Sequence, residues 1–326
     1  MPAPVAVDRL EIDILADNAT DMLSSTPAGV AHEQAGLLRR GIRVMSGQCL
    51  CCAVHGLSCL LTAWRGDTKH TVLFDSGPEA YAFERNVTRI GADMGAVEAI
   101  VLSHGHWDHC GAMLLALTMI RGRNGGRAVP YYAHPGMFRP RAIRLPDGAL
   151  RRMEDVPGVD ELVAFGAAPV VTREPQLFLD DMFFVSGEIP RLTAFETGLP
   201  GQVRLGDDGR SWESDELILD ERWLGVHVRG QGLVVLSACS HAGIVNVATD
   251  ARAKFPDVPI HTIMGGLHLS GTNERVIPQT VEGLRAFAPR RIAAGHCTGF
   301  RAIAALVAAF GDEVVAPTAV GKRYTI

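Results

Sequence analysis

The sequence predicts an α/β chain in which mixed β-sheets are sandwiched between helices. Three observations lead there. Apolar, β-rich runs bounded by turn residues recur along the whole chain. Helical patterns fall between them. Regular strand–helix alternation is confined to the last third, which excludes a pure dinucleotide-binding type of alternation. Composition agrees: 326 residues, 47% hydrophobic and 21% charged with a formal net charge of −5, are ordinary for a globular protein and exclude disordered and fibrous chains.

In order, strands are predicted over residues 10–15, 58–62, 71–74, 99–102, 182–185, 223–228, 233–236, 260–264 and 291–294. Helices are predicted over 79–90, 110–120, 243–254, 278–287 and 301–310. Residues 139–175 are rich in Pro, Gly and Arg and read as an insertion or lid within one domain spanning 1–326. A second loop, 198–214, carries Gly, Asp and Arg and reads as exposed.

The mild acidity and the lack of a Lys/Arg run argue against nucleic acid as a partner. The longest apolar runs, such as 112–120, fall short of the ~20 residues a membrane helix needs. The first residues lack a basic region, so a signal peptide is not expected and the cytoplasm is the expected compartment. A small-molecule substrate and, at most, self-association into a homodimer are the partners expected. Seven cysteines are an odd count and read as thiols. Cys49, Cys51, Cys52 and Cys59 are tightly spaced, but their apolar neighbours favour buried strand thiols over a metal site.

The strongest chemical signal is Ser103-His104-Gly105-His106-Trp107-Asp108-His109, between a predicted buried strand and a predicted helix. Neutral imidazoles are the commonest ligands of zinc-like ions, and a carboxylate suits the same ions. The His-x-His alternation turns two imidazoles toward one point, and Asp108 and His109 can reach a second ion from the following turn.

This run resembles the signature of the metallo-β-lactamase-fold superfamily. Val72-Leu73-Phe74-Asp75-Ser76-Gly77 looks like that superfamily's first motif, and His296 in Gly295-His296-Cys297-Thr298-Gly299 falls where its last metal histidine does. More narrowly, the chain looks like the branch of the archaeal dihydropterin–aminobenzene ribofuranosyl phosphate synthase. That resemblance is carried by His55-Gly56-Leu57-Ser58, Ser186-Gly187-Glu188-Ile189-Pro190-Arg191, the run from Cys239 to Asn246, and Gly265-Gly266-Leu267-His268-Leu269. It implies an αββα sandwich: two mixed sheets face to face with helices outside.

The resemblance also implies a ligand set. His104, His106 and His241 would hold one ion, and Asp108, His109 and His296 the other, with Glu188 the alternative to His241. Zinc is expected, in one or two equivalents, with iron or manganese as alternatives. A bridging Asp is usual at the strand end where Cys239 falls, so the second site is expected to be the weaker. Asp75 would orient a ligand histidine or its loop. Asp108 and His106 are the expected catalytic residues. His268 is a candidate for substrate or metal contact, and Arg191 for a phosphate or carboxylate.

A zinc-like ion lowers the pKa of bound water from about 15.7 to about 7. The expected activity is therefore hydrolysis of a small ester, lactone, phosphoester or activated aryl substrate. The alternatives are the branch's condensation of a dihydropterin diphosphate with an aminobenzene ribofuranosyl phosphate, and a non-catalytic metal-holding scaffold. A di-iron redox centre fits less well, because such centres carry more carboxylates.

Overall fold

A computed structural model describes residues 2–326. The first half builds β1 (Arg9–Ala16), β2 (Val30–Ala31), α1 (Glu33–Arg39), β3 (Ser58–Arg65), β4 (Thr68–Phe74), α2 (Ala80–Ile90), β5 (Val97–Val101), α3 (Trp107–Cys110), α4 (Met113–Arg121) and β6 (Val129–Ala133). Then come β7 (Arg141–Arg144), β8 (Leu150–Arg152), α5 (Val159–Phe165) and β9 (Ala167–Val171). The second half adds β10 (Gln176–Phe178), β11 (Phe183–Val185), β12 (Gln202–Leu205), β13 (Trp212–Ser214), β14 (Leu224–Val228) and β15 (Gly232–Ser237). It ends with α6 (Ile244–Lys254), β16 (Ile260–Gly266), α7 (Ile277–Arg285), β17 (Arg291–Gly295), α8 (Phe300–Phe310) and β18 (Arg323–Thr325).

Two mixed sheets result, ordered β2-β18-β1-β3-β4-β5-β6-β9 and β10-β11-β14-β15-β16-β17. Side-chain alternation explains how they stack. On β4 and β5, Val72, Phe74 and Val101 turn inward, while Leu73 and Ile100 turn outward under α2 and α4. On β15 to β17, Val234, Leu236, Met264 and Ala293 turn inward, while Val235, Ile263 and Ile292 turn outward under α6, α7 and α8. One apolar layer thus lies between the sheets and one under each set of helices, which is the αββα sandwich.

Helix boundaries follow local chemistry. Glu79 caps α2 by accepting from the backbone N–H groups of Tyr81 and Ala82, and Gly91 ends it at φ 74°. The helix predicted over 110–120 is broken into α3 and α4 at Gly111, where a Cβ would land on the backbone of Pro78. The segment 139–175 divides. β7 and β8 form a small sheet with β12 and β13, in the order β13-β12-β7-β8, whereas β9 returns to the first large sheet beside β6. Strands β2, β6, β7, β8, β9, β10, β12, β13 and β18 and helices α1 and α5 lie outside the predicted elements. Among the described residues no helix is long and apolar enough to cross a membrane.

Candidate metal centre

Parallel pairing of β4 with β5, and of β15 with β16 and β17, aligns their carboxyl ends along one rim of the sandwich. Loops leaving such ends are where ligands collect in α/β sheets. His104, His106, Asp108 and His109 follow β5, His241 follows β15, His268 follows β16 and His296 follows β17.

Three imidazoles form the first cup. His104 Nε2 lies 3.1 Å from His106 Nδ1 and 3.2 Å from His241 Nε2. Asp75, at φ 57°, dictates which nitrogens are bare. Its carboxylate accepts from the Ser103 backbone N–H at 2.8 Å, the Ser103 hydroxyl at 2.7 Å and His109 Nδ1 at 2.7 Å. The Ser103 hydroxyl has one proton and gives it to Asp75, so toward His104 Nδ1, 2.9 Å away, it accepts. His104 therefore carries its proton on Nδ1 and presents Nε2 as a lone pair. Burial, then the neighbouring His109, holds His104 well below the usual imidazole pKa. Burial, then Arg141, lowers His106 to about 3, and burial, then His268, lowers His241.

Buried groups clamp the loops that carry this cup. Asp220 accepts from the Gly105 N–H and pairs with Arg141, which donates to the Gly105 carbonyl at 2.8 Å. A Cβ at Gly105 would strike Arg141 and the Met137 backbone. Glu221 accepts from the backbone N–H groups of His241 and Ala242 at 2.8 and 2.7 Å.

The second cup centres on Asp108. Its Oδ2 lies 3.4 Å from His296 Nε2, 3.6 Å from His55 Nε2 and 3.7 Å from His109 Nε2. Burial raises the Asp108 pKa, but the imidazoles of His109 and His296 outweigh it and hold the carboxyl far below the usual range. Burial lowers His109, but Asp108 and Asp75 raise it to about 9. His296 sits at φ 47°, its backbone N–H held by Asp17 at 2.9 Å.

Cys239 stands between the cups, its Sγ 3.2 Å from His109 Nε2. Burial raises its pKa and keeps it a neutral thiol, so no carboxylate bridges the cups from that strand end. Cys239, His268 and Cys297 also lie within ligand distance of one another.

The residues fit a bound cation. His296 Nε2 is buried without a hydrogen-bond partner and faces Asp108 Oδ2 at 3.4 Å, and the His104 Nε2 lone pair faces His106 Nδ1 and His241 Nε2 across the first cup. A divalent ion satisfies such convergent acceptors. A cleft opens beside the first cup, lined by His241, His268, Phe195, Glu196, Leu267 and Asn273.

Other expectations meet different surroundings. Glu188 does not approach the first cup; its carboxylate accepts from Arg173 at 2.6 Å and contacts His134 Nε2 at 3.1 Å. Arg191 donates to the carbonyls of Leu217 and Ile218 and has Glu221, Glu196 and Asp220 nearby, but its Nε and Nη1 are buried without a hydrogen-bond partner. His268, at φ 44°, packs its ring 4.5 Å from that of His241. Of the four clustered cysteines only Cys59 is a strand thiol; the other three lie in the loop before β3. Asn18, Asp220 and Glu221 were not singled out, and His55 was named only within a run that carries the resemblance, without a site role. The signal for Asn18 was an Asp-Asn pair closing the first apolar run, and for His55 a His-Gly turn before a predicted strand.

Known proteins place these features. A family model described as a beta-lactamase superfamily domain matches residues 70–152. The chain is 27% identical over 252 residues to the 7,8-dihydropterin-6-methyl-4-(β-D-ribofuranosyl)-aminobenzene-5′-phosphate synthase of Methanocaldococcus jannaschii, covering 76% of this chain and 82% of that protein. A solved metal-dependent hydrolase of the β-lactamase superfamily superposes with a TM-score of 0.69 at 20% identity, covering 96% of this chain and 98% of the other. Unliganded yeast PDE1 superposes with a TM-score of 0.56 at 9% identity, covering 99% of this chain and 100% of the other. At these identities the two structural likenesses are of fold. The chain has the metallo-β-lactamase fold, with a beta-lactamase superfamily domain matched at residues 70–152, and it resembles the dihydropterin synthase.

Proposed function

We propose that the chain is a metal-dependent hydrolase of a small-molecule ester, lactone, phosphoester or activated aryl substrate, with zinc the resident ion. The observation that carries this reading is the convergence of His104, His106 and His241 nitrogens beside Asp108, with the Ser103 hydroxyl leaving the His104 Nε2 lone pair inward. His104, His106 and His241 would hold one ion, and Asp108, His109 and His296 a second. A bound ion of this kind supplies Lewis acidity and makes hydroxide available near neutral pH. The chain's own residues do the rest. Asp75 and Ser103 orient His104 and His109. Where only the first site is filled, Asp108, kept ionised by its neighbours, would accept a hydrogen bond from the attacking water and orient it. The cleft beside His241 receives the substrate body.

A second reading is a transferase that joins a dihydropterin diphosphate to an aminobenzene acceptor. What favours it is the 27% identical relative, a synthase matched over 82% of its length. One experiment separates the two: a screen of lactones, phosphodiesters and activated aryl esters beside a two-substrate condensation assay. Both are run on wild type and Asp108→Ala at matched metal loading. Hydrolysis that falls at least a hundredfold in Asp108→Ala supports the first reading. Product only when both condensation partners are present supports the second. Activity in neither assay would contradict both and leave a metal-holding scaffold.

A further inference from the structure

Asn18 touches two histidines of the second cup at once. Its Oδ1 accepts from the Gly56 backbone N–H at 3.1 Å, and its Nδ2 donates to the His296 carbonyl at 3.2 Å. A backbone N–H only donates and a carbonyl only accepts, so the orientation of the Asn18 amide is settled. Two further bonds then have one reading each. His296 Nδ1, 3.0 Å from Oδ1, must donate. His55 Nδ1, 3.0 Å from Nδ2, must accept.

The two rings are thereby sorted into opposite tautomers. His296 carries its proton on Nδ1 and turns a bare Nε2 toward Asp108 Oδ2 at 3.4 Å, two acceptors facing one another as a cation requires. His55 carries its proton on Nε2. That N–H lies 3.6 Å from Asp108 Oδ2, beyond a hydrogen bond, on a side chain that is 58% exposed. It is an uncommitted donor at the mouth of the centre.

We infer that His55, although within ligand distance of Asp108 and His296, is not a metal ligand but the centre's N–H donor for an anionic oxygen of the substrate, and that Asn18 is the positioning residue that makes it so. The inference rests on the metal-centre reading above and adds a substrate property. The molecule that binds carries an oxygen that is negative, or becomes so, beside the second cup. A fixed donor in that place is the arrangement that stabilises developing oxyanions.

The test reads ring protons and metal separately. Long-range 1H–15N correlation of the 15N-labelled full chain, metal-free, should show His55 protonated on Nε2 and His296 on Nδ1. His55 protonated on Nδ1 would overturn the inference without touching the metal-centre reading. In His55→Ala, zinc stoichiometry should be unchanged and zinc affinity should stay within about threefold. Inorganic phosphate should bind the zinc-loaded variant roughly tenfold or more weakly, as for loss of a hydrogen bond to a charged group. A tenfold or larger loss of zinc affinity, or unaltered phosphate binding, would overturn the inference. Asn18→Asp replaces the amide donor with an acceptor, so His55 should move its proton to Nδ1 and gain a lone pair toward the second cup. That variant should bind the second zinc at least as tightly as wild type while losing the phosphate contact. A His55 that keeps its wild-type tautomer in Asn18→Asp would remove Asn18 from the account. If wild type binds no zinc, the metal-centre reading fails, and the tautomers remain decidable in the metal-free protein.

Discussion

The two cups share the His104–His109 loop, each completed by a histidine from another loop, but differ in kind. The first is three imidazoles, with pKa values held low by burial and with loops clamped by Asp220, Arg141 and Glu221. The second mixes a carboxylate with imidazoles, includes a histidine pushed up to about 9, and faces the neutral thiol of Cys239. Metal competes with protons for nitrogen lone pairs. A cup that is already deprotonated accepts an ion freely, whereas a cup that must first release a proton binds it conditionally. On the proposed reading, the first cup would be the strong site and the second the adjustable one.

The largest expected effect comes from breaking the strong cup. His106→Ala should remove the first equivalent of metal and lower activity more than a hundredfold, with the circular dichroism spectrum intact because the three apolar layers are untouched. Retention of full metal content in that variant would end the distinction between the cups.

Acid should then separate them. His109 is raised above 6.5, so in the metal-free protein it is charged below about pH 9 and must lose its proton to bind. Zinc affinity at the second cup should fall roughly tenfold per pH unit from about 9 down to 7, while first-cup affinity stays flat over that range. The linkage has a stability counterpart with a definite sign. The charged His109 stabilises the metal-free fold fully below its unfolded pKa, and this is lost as pH rises through about 9. Calorimetric titrations at three pH values, in buffers of different ionisation enthalpy, count the protons released. Equal proton release from both cups would contradict the comparison.

Much of the centre was legible because its residues are contiguous. The His104–His109 run declares its chemistry in six positions, and Asp75, His241 and His296 follow strand ends that apolar runs reveal. What was hidden depends on chain reversal. Asn18 and Asp17 leave β1, yet they bond His296 nearly the whole chain away. Asp220 and Glu221 carry no local pattern, and their role exists only once β14 brings them under two loops. Strand β18 was missed because Arg323–Thr325 is too short to show alternation, and it is fixed by pairing with β1 on one side and β2 on the other. Glu188 was misplaced because a conspicuous loop carboxylate looks like a ligand until its partners, Arg173 and His134, are in view.

A smaller change should sharpen the contrast. Cys239→Asp supplies the carboxylate that the strand end lacks. If the thiol is what weakens the second cup, second-site zinc affinity should rise about tenfold or more, with a modest loss of melting temperature in the metal-free protein from the buried charge. Unaltered metal content with a lowered melting temperature would mean that Cys239 only packs.

The most direct measurement is a zinc titration of the chelator-stripped full chain at pH 8, run on wild type and on His296→Ala. The account predicts two resolved phases in wild type, the tighter one preserved and the weaker one abolished in His296→Ala. A single phase in wild type, or loss of both phases in the variant, would contradict two unequal cups on one rim of the sandwich.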